Sequence, residues 1–379
     1  MKMKIVCDDK IPFLRGVLEP YAEVVYLSGK KTTREDVRDA DAIITRTRTI
    51  CNRELLEGSS VKVIATATIG FDHIDTKWVE SNGIVWRNAP GCNSWSVKQY
   101  MGSVLCTLAA KYGFDLSKMT LGVVGVGNVG SKVACAASAL GMKVLLNDPP
   151  RARKEGAEGF VSLDEIIRSC DIITVHVPLN KEGEDRTVHL FDEGRIASMR
   201  SDQILCNSSR GQVVDNKALK QALKEGRLKG GVLDVWEGEP DLDRELISLL
   251  DITTAHIAGY SADGKANGTI ASVRTVSEIL GLPLADWKPS QMPAPEQSLD
   301  FSIDAVGKTF QQVLSEAILH TYEVEQDSFR LREHPELFET LRGDYQIRRE
   351  PSAFTLHLKA GTAEMEKALR QLDFNVVTD

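Results

Sequence analysis

Three polar residues in the middle of the chain, Arg210, Glu239 and His256, are of the types needed to take a proton from a hydroxyl while a hydride leaves the carbon that bears it. A histidine titrates nearest neutral pH, which makes His256 the candidate base. A carboxylate on the far imidazole nitrogen fixes the tautomer and stabilises the imidazolium that forms, a role that suits Glu239. A guanidinium holds a carboxylate through two parallel hydrogen bonds and polarises a neighbouring oxygen more selectively than a lysine ammonium, which suits Arg210. Singly, each has an ordinary alternative as a structural histidine or a surface ion-pair member. Their weight lies in occurring together.

A second set concerns a nucleotide. Gly125-Val126-Gly127-Asn128-Val129-Gly130 follows the apolar run Leu121 to Val124, opens a helix-like segment, and is trailed by Asp148 at the end of the next apolar run. That context marks a dinucleotide site. Gly125 permits the tight turn, Gly127 lets the backbone approach a pyrophosphate, and Gly130 lets the helix pack on the strand with its first amides facing the phosphates. Asp148 would accept hydrogen bonds from the adenosine ribose and repel a 2′-phosphate, which favours NAD over NADP, although Arg151 and Arg153 stand close enough to offset that repulsion.

The elements that must position these groups follow from the hydrophobic pattern. Short apolar runs at Ala42 to Thr45, Val61 to Ala65, Leu121 to Val124, Lys143 to Leu146, Asp171 to Val175, Gln203 to Cys206 and Gly231 to Leu233 alternate with helical stretches. This predicts parallel sheets covered by helices, with Arg210, Glu239 and His256 just beyond strand carboxyl ends, where such sheets bind ligands. Pro283, Pro289, Pro293 and Pro295 crowd the segment Gly281 to Glu296, which reads as a linker. Beyond it Ile303, Val306, Phe310, Val313, Leu314 and Ala317 recur at helical spacing, and Phe354 to Leu358 alternates like a half-buried strand. A small closing α/β domain of roughly 85 residues is expected.

Bulk composition narrows the class. A chain of 379 residues suits two or three domains. The net charge of −8 argues against nucleic acid as the main partner, and no run of apolar residues is long enough for a membrane span. Met1-Lys2-Met3-Lys4 before Ile5-Val6-Cys7-Asp8-Asp9 reads as a lead-in to a buried strand, because the apolar run is too short for a signal peptide. The seven cysteines include no C-x-x-C pair, so no metal site is expected, and the thiols fit a reduced, cytoplasmic setting.

The order of the glycine motif, Asp148, Arg210, Glu239 and His256 resembles the D-isomer-specific 2-hydroxyacid dehydrogenases over about the first 285 residues. The resemblance implies an α/β architecture: a Rossmann-type, doubly wound NAD domain at residues 96–257, inserted in a flavodoxin-like substrate domain at 1–95 and 258–285. The active site would lie in the cleft between them, and a C-terminal α/β dimerisation domain would occupy 286–379. Longer strings are similar to one branch of the family that acts on a phosphorylated substrate: Ala89-Pro90-Gly91-Cys92-Asn93, Asn147-Asp148-Pro149-Pro150-Arg151, Leu233 to Pro240, His256 to Tyr260 with Gly264-Lys265, and Tyr345 to Glu350.

What this resemblance implies is oxidation of a phosphorylated 2-hydroxy acid at C2, with NAD as cofactor and a homodimer as the working form. Substrate contacts then fall at Thr47, Thr68 and Tyr260. Cofactor contacts fall at Asn128, Val129, Asp148, Ser208, Arg210, Asp234 and Gly259. Val177 stands where the family leads one to expect threonine, so a contact there would run through the backbone. Arg46-Thr47-Arg48 offers guanidinium and hydroxyl donors to a phosphate, with a solvated surface triplet as the alternative. Arg348 or Arg349 of a partner subunit is a further candidate for completing that pocket. Two other readings stay open: a dehydrogenase of another phosphorylated 2-hydroxy acid, such as phosphoglycerate, and an NAD-sensing corepressor-like protein, against which the globular composition of the tail weighs.

Overall fold

Runs of two to five residues, mostly apolar or β-branched, become the strands of three parallel sheets in the computed structural model, which describes residues 3–378. Met1, Lys2 and Asp379, at the outer ends of the expected first and last domains, lie outside the described residues. The chain forms two compact units, one made of the residues up to Asn93 together with Ser261–Pro293, the other of Ser94–Tyr260 together with the residues from Ala294 onward. No helix among the described residues is long and apolar enough to cross a membrane.

In the first unit, β1 (Lys4–Asp8), β2 (Glu23–Leu27), β3 (Ala42–Thr45), β4 (Val63–Thr66) and β5 (Val85–Arg87) form a parallel sheet in the order β2-β1-β3-β4-β5. This is the flavodoxin-like order, whose switch point lies between β1 and β3. Every residue of β3 and β4 is buried, as expected of strands covered on both faces. The helix Ala262–Leu280 packs on β4, and Leu282, Leu284 and Trp287 of the proline-rich stretch pack against the same core.

The second unit holds β6 (Thr120–Val124), β7 (Lys143–Asn147), β8 (Ile172–Val175), β9 (Ile204–Asn207), β10 (Gly230–Leu233) and β11 (Ile252–Thr253). They form a parallel sheet in the order β11-β10-β9-β8-β6-β7. After β7 the chain returns to the other side of β6, so the switch point lies at the β6–β8 pair. The long helix Ser94–Tyr112 is buried along most of its length and packs against the helix Asn128–Ala139 that follows the glycine motif.

The C-terminal residues of this unit build a third sheet from β12 (Asp300–Asp304), β13 (Thr355–Lys359) and β14 (Asn375–Thr378), again parallel. Here the helix expected from Ile303 onward is corrected. Ile303 belongs to β12, Val306 is 71% exposed in the turn after it, and the helix is Phe310–Thr321. The strand Asp300-Phe301-Ser302-Ile303-Asp304 alternates with period two, and Thr309 starts the helix by a capping box with Gln312. A local cap therefore overrides a chance helical spacing. Phe354, fully buried at the entrance to β13, meets the rings of Phe301 and His320 edge-on. Phe354→Ala should destabilise this region by about 3–5 kcal/mol, which denaturant unfolding followed by tryptophan fluorescence would measure.

Candidate active site

All strands of the second unit's main sheet run parallel, so their carboxyl ends fall along one edge, and every candidate cofactor and catalytic residue of that unit lies there. The glycine motif follows β6, Asp148 follows β7, and Val177 follows β8. Ser208 and Arg210 follow β9, Asp234 and Glu239 follow β10, and His256 and Gly259 follow β11. Because β9, β10 and β11 are neighbours, Arg210, Glu239 and His256 leave from ends spaced by about 4.8 Å each.

At the nucleotide end, the turn from β6 into the helix Asn128–Ala139 requires glycine where the two meet. A β-carbon on Gly130 would stand 1.9 Å from the carbonyl oxygen of Gly125. Gly127, the N-cap, and Asn128 are exposed, and a β-carbon at Gly127 would meet nothing within 4 Å, so the first turn presents open backbone of the kind a pyrophosphate needs. Asp148 accepts from the amides of Val126 at 2.8 Å and Arg151 at 3.0 Å, which joins the glycine turn to the start of the helix Pro149–Glu155. The two arginines that could have favoured a 2′-phosphate are both paired with carboxylates. Arg151 is paired with Glu155 at 2.6 Å, and Arg153 with Asp185 at 2.6 Å and Glu184 at 3.3 Å. The donor set fits NAD. Val177 packs its side chain against Gly125, and His176 beside it lies between the hydroxyls of Thr174 at 2.9 Å and Ser208 at 3.5 Å. Burial pushes His176 down to about 3, so its ring is neutral.

The catalytic end is built by the strands' last residues. Glu239 accepts from the Trp236 amide at 2.9 Å through Oε1 and meets His256 Nδ1 at 2.9 Å through Oε2. Its neighbour Glu237 is committed to His189 at 2.7 Å and to the Asn216 amide at 2.9 Å, so only one of the two glutamates of the string faces His256. Burial works against ionisation of Glu239, but the hydrogen bond and charge of His256, the Trp236 amide and the charge of Arg342 outweigh it and hold the carboxyl below its ordinary value. Ionised Glu239 places the proton on Nδ1 and leaves Nε2 as the basic nitrogen. Arg210 is half-buried, and its Nη1 donates to the Ser209 carbonyl at 2.8 Å. The turn after it passes so close to β10's exit that a β-carbon on Gly211 would stand 2.0 Å from the Trp236 carbonyl oxygen, which makes Gly211 a positioning residue that motif reading overlooked.

Asp234 is buried, and three protein donors occupy its carboxylate: the Thr254 hydroxyl at 2.6 Å and the amides of Ile257 at 2.7 Å and Ala258 at 3.0 Å. Desolvation raises its carboxyl above the ordinary value, against the charge of His256 and these donors. Tyr260 receives a hydrogen bond from Arg342 Nε at 3.0 Å, so Arg342, which carries no sequence motif, joins the surroundings of Glu239 and Tyr260. The Arg348 half of the partner-arginine expectation is corrected. Arg348 is 2% exposed and donates to carbonyls of its own chain, so it does not reach out to a partner's site.

In the first unit, Arg46 and Thr47 follow β3, and Thr68 lies just beyond the adjacent β4. Arg46 Nη1 donates to the Lys10 carbonyl at 2.9 Å, and the Thr68 hydroxyl donates to the Gly70 carbonyl at 2.8 Å. The Ala89 amide donates to the Thr68 carbonyl at 3.0 Å, tying this corner to the Ala89-Pro90-Gly91 string.

Residues 86–258 match the family described as D-isomer specific 2-hydroxyacid dehydrogenase, NAD binding domain, and residues 297–372 match a domain of unknown function. The chain is 51% identical over 355 residues to an erythronate-4-phosphate dehydrogenase of Bacteroides thetaiotaomicron, covering 93% of this chain and 99% of that one. It is 42% identical over 374 residues to the enzyme of the same name from Porphyromonas gingivalis, covering 98% and 100%. Among solved structures, the D-lactate dehydrogenase of Aquifex aeolicus, complexed with NAD and lactic acid, superposes with a TM-score of 0.62 at 28% identity, covering 74% of this chain and 96% of that one.

Two outcomes are expected from this geometry. Gly130→Ala should weaken NADH binding by about 10-fold or more in a fluorescence titration, because the methyl group forces the helix start off the strand end. Glu239→Gln should lower kcat by roughly 10²–10³ at neutral pH. Glu239's depressed value also makes its ionic contribution to stability fully present above the unfolded value of about 4.3 and lost as pH falls through the folded value. The stability gap between wild type and Glu239→Gln should therefore shrink as pH falls below about 4, as thermal melts across pH would show.

Proposed function

Since the chain belongs to the erythronate-4-phosphate dehydrogenases within the D-isomer-specific 2-hydroxyacid dehydrogenase family, we propose that it oxidises 4-phospho-D-erythronate at C2 to 2-oxo-3-hydroxy-4-phosphobutanoate, a step toward pyridoxal 5′-phosphate. The observation that carries this reading is the Glu239–His256 pair at 2.9 Å, beyond a strand that neighbours the one carrying Arg210, on the edge of the sheet that bears the glycine motif.

Bound NAD supplies the acceptor for the hydride that leaves C2. The helix start at Asn128 and Val129, with Gly125, Gly127 and Gly130, holds the pyrophosphate, and Asp148 receives the ribose hydroxyls. Ser208, Asp234, Gly259 and the backbone at Val177 line the nicotinamide side. Arg210 grips the substrate carboxylate and draws electron density from the C2 oxygen. His256 takes the C2 hydroxyl proton at Nε2, and Glu239 stabilises the resulting imidazolium through Nδ1. Arg46 and Thr47, with Thr68 and Tyr260, receive the remainder of the substrate and its phosphate. A homodimer built through the C-terminal segment and a cytoplasmic location complete the proposal.

The test is NADH appearance at 340 nm with NAD and, in parallel, 4-phosphoerythronate, 3-phosphoglycerate and D-lactate, repeated with His256→Ala. Selective turnover of 4-phosphoerythronate that His256→Ala abolishes is the expected outcome. Turnover of 3-phosphoglycerate in its place would reassign the substrate. Silence on all three with NAD bound would point to a sensing protein.

A further inference from the structure

His256 occupies an unusual backbone position. Its φ is +57°, a left-handed conformation that is strained for a residue with a β-carbon and persists only where surrounding contacts over-determine it. The His256 amide is tied to the Asp234 carbonyl at 2.7 Å. The next two amides, of Ile257 and Ala258, are held by the Asp234 carboxylate. The carbonyls of these same two residues also have a partner. Arg348 Nη2 donates to Ile257 O at 3.2 Å and to Ala258 O at 2.6 Å.

Arg348 reaches this loop from far along the chain, and its charge is compensated in an uncommon way. The guanidinium lies 4.4 Å from the ring centroid of Tyr322 and 5.7 Å from that of Tyr345. Among the described residues its Nε and Nη1 meet no hydrogen-bond acceptor, and the ring faces supply the electron density in their stead. Both tyrosine hydroxyls donate to Asp327 Oδ2, at 2.8 and 2.7 Å, so a carboxylate stands one ring beyond the guanidinium. Asp327 itself pairs with Arg330 at 3.1 Å, through its other oxygen. Burying a guanidinium without a direct carboxylate is costly, and on stability grounds alone an apolar side chain would serve as well. What an apolar residue could not do is donate to two carbonyls next to His256.

We propose that Arg348 is a positioning residue for His256: from the C-terminal segment it holds the carbonyls of Ile257 and Ala258, fixes the left-handed turn with Asp234, and thereby aims Nε2 of the base. The C-terminal segment is on this account part of the catalytic geometry. The inference rests on the reading of His256 as the base, and its test has one arm that needs no substrate.

The experiment compares Arg348→Gln and Arg348→Lys with wild type in the full chain, with Tyr345→Phe in parallel. Without substrate, hydrogen exchange of the amides at 256–258 should be about 10-fold faster in Arg348→Gln. With 4-phosphoerythronate, kcat should fall about 10- to 100-fold, while KM and the NADH dissociation constant stay within about two-fold, and Arg348→Lys should recover part of the loss. Exchange and kcat both unchanged in folded Arg348→Gln would overturn the proposal. So would equal losses in kcat and NADH affinity, the mark of general loosening. Should Arg348→Gln not fold, Tyr345→Phe decides, since it loosens one ring beside the guanidinium and leaves the guanidinium in place: faster exchange at 256–258 supports the clamp, and unchanged exchange overturns it. Wild type inert toward 4-phosphoerythronate would defeat the functional reading instead, and the exchange arm would still judge the clamp.

Discussion

A buried carboxylate needs hydrogen-bond donors around it, and at Asp234 those donors are the Thr254 hydroxyl and the amides of Ile257 and Ala258. Much of the catalytic end depends on this arrangement. It joins the exit of β10 to the exit of β11, so the loop that bears Glu239 and the loop that bears His256 cannot move independently. Thr254 also bonds the hydroxyl of Tyr100, which lies fully buried in the long helix Ser94–Tyr112, and that bond anchors the junction to the unit's largest core. The backbone strain at His256 is tolerable because contacts on several sides define it.

The nucleotide end obeys a different constraint, closeness of backbone. The glycine turn brings a helix start against a strand end with no room for a β-carbon, and Asp148 ties that turn to the exit of β7. The preference for NAD follows from where the neighbouring charges go. Arg151 and Arg153 are paired with Glu155, Asp185 and Glu184, so their charges are offset where the carboxylate of Asp148 awaits the ribose.

Much of this was legible because it is local. The glycine spacing, an acidic residue at the next strand end, and polar residues after successive apolar runs all report on strand exits of one parallel sheet, and the sheet aligns them on one edge. Glu239 is the glutamate that the sequence reading pairs with His256, and the turn geometry sends it there while Glu237 goes to His189. Long-range contacts carried no such signal. Arg342 meets Tyr260 across 82 residues, and Arg348 meets Ile257 across 91, and neither pairing leaves a trace in local spacing. Arg348 looked like a candidate for a partner's site because it belongs to a paired-arginine string in the expected dimerisation domain, yet two tyrosine rings and two carbonyls hold it buried in its own chain. Ile303 misled for the opposite reason: a strand and a capped helix in sequence happened to keep helical spacing across their junction.

The central claim is that His256, oriented by Glu239, takes the C2 hydroxyl proton while Arg210 holds the carboxylate. A crystal structure of the chain with NADH and a non-oxidisable 4-phosphoerythronate analogue tests it most directly. The account expects the C2 oxygen within hydrogen-bond reach, about 2.6–3.2 Å, of His256 Nε2, with the carboxylate on the Arg210 guanidinium. A ligand whose C2 oxygen faces another proton acceptor, or whose carboxylate lies away from Arg210, would contradict it.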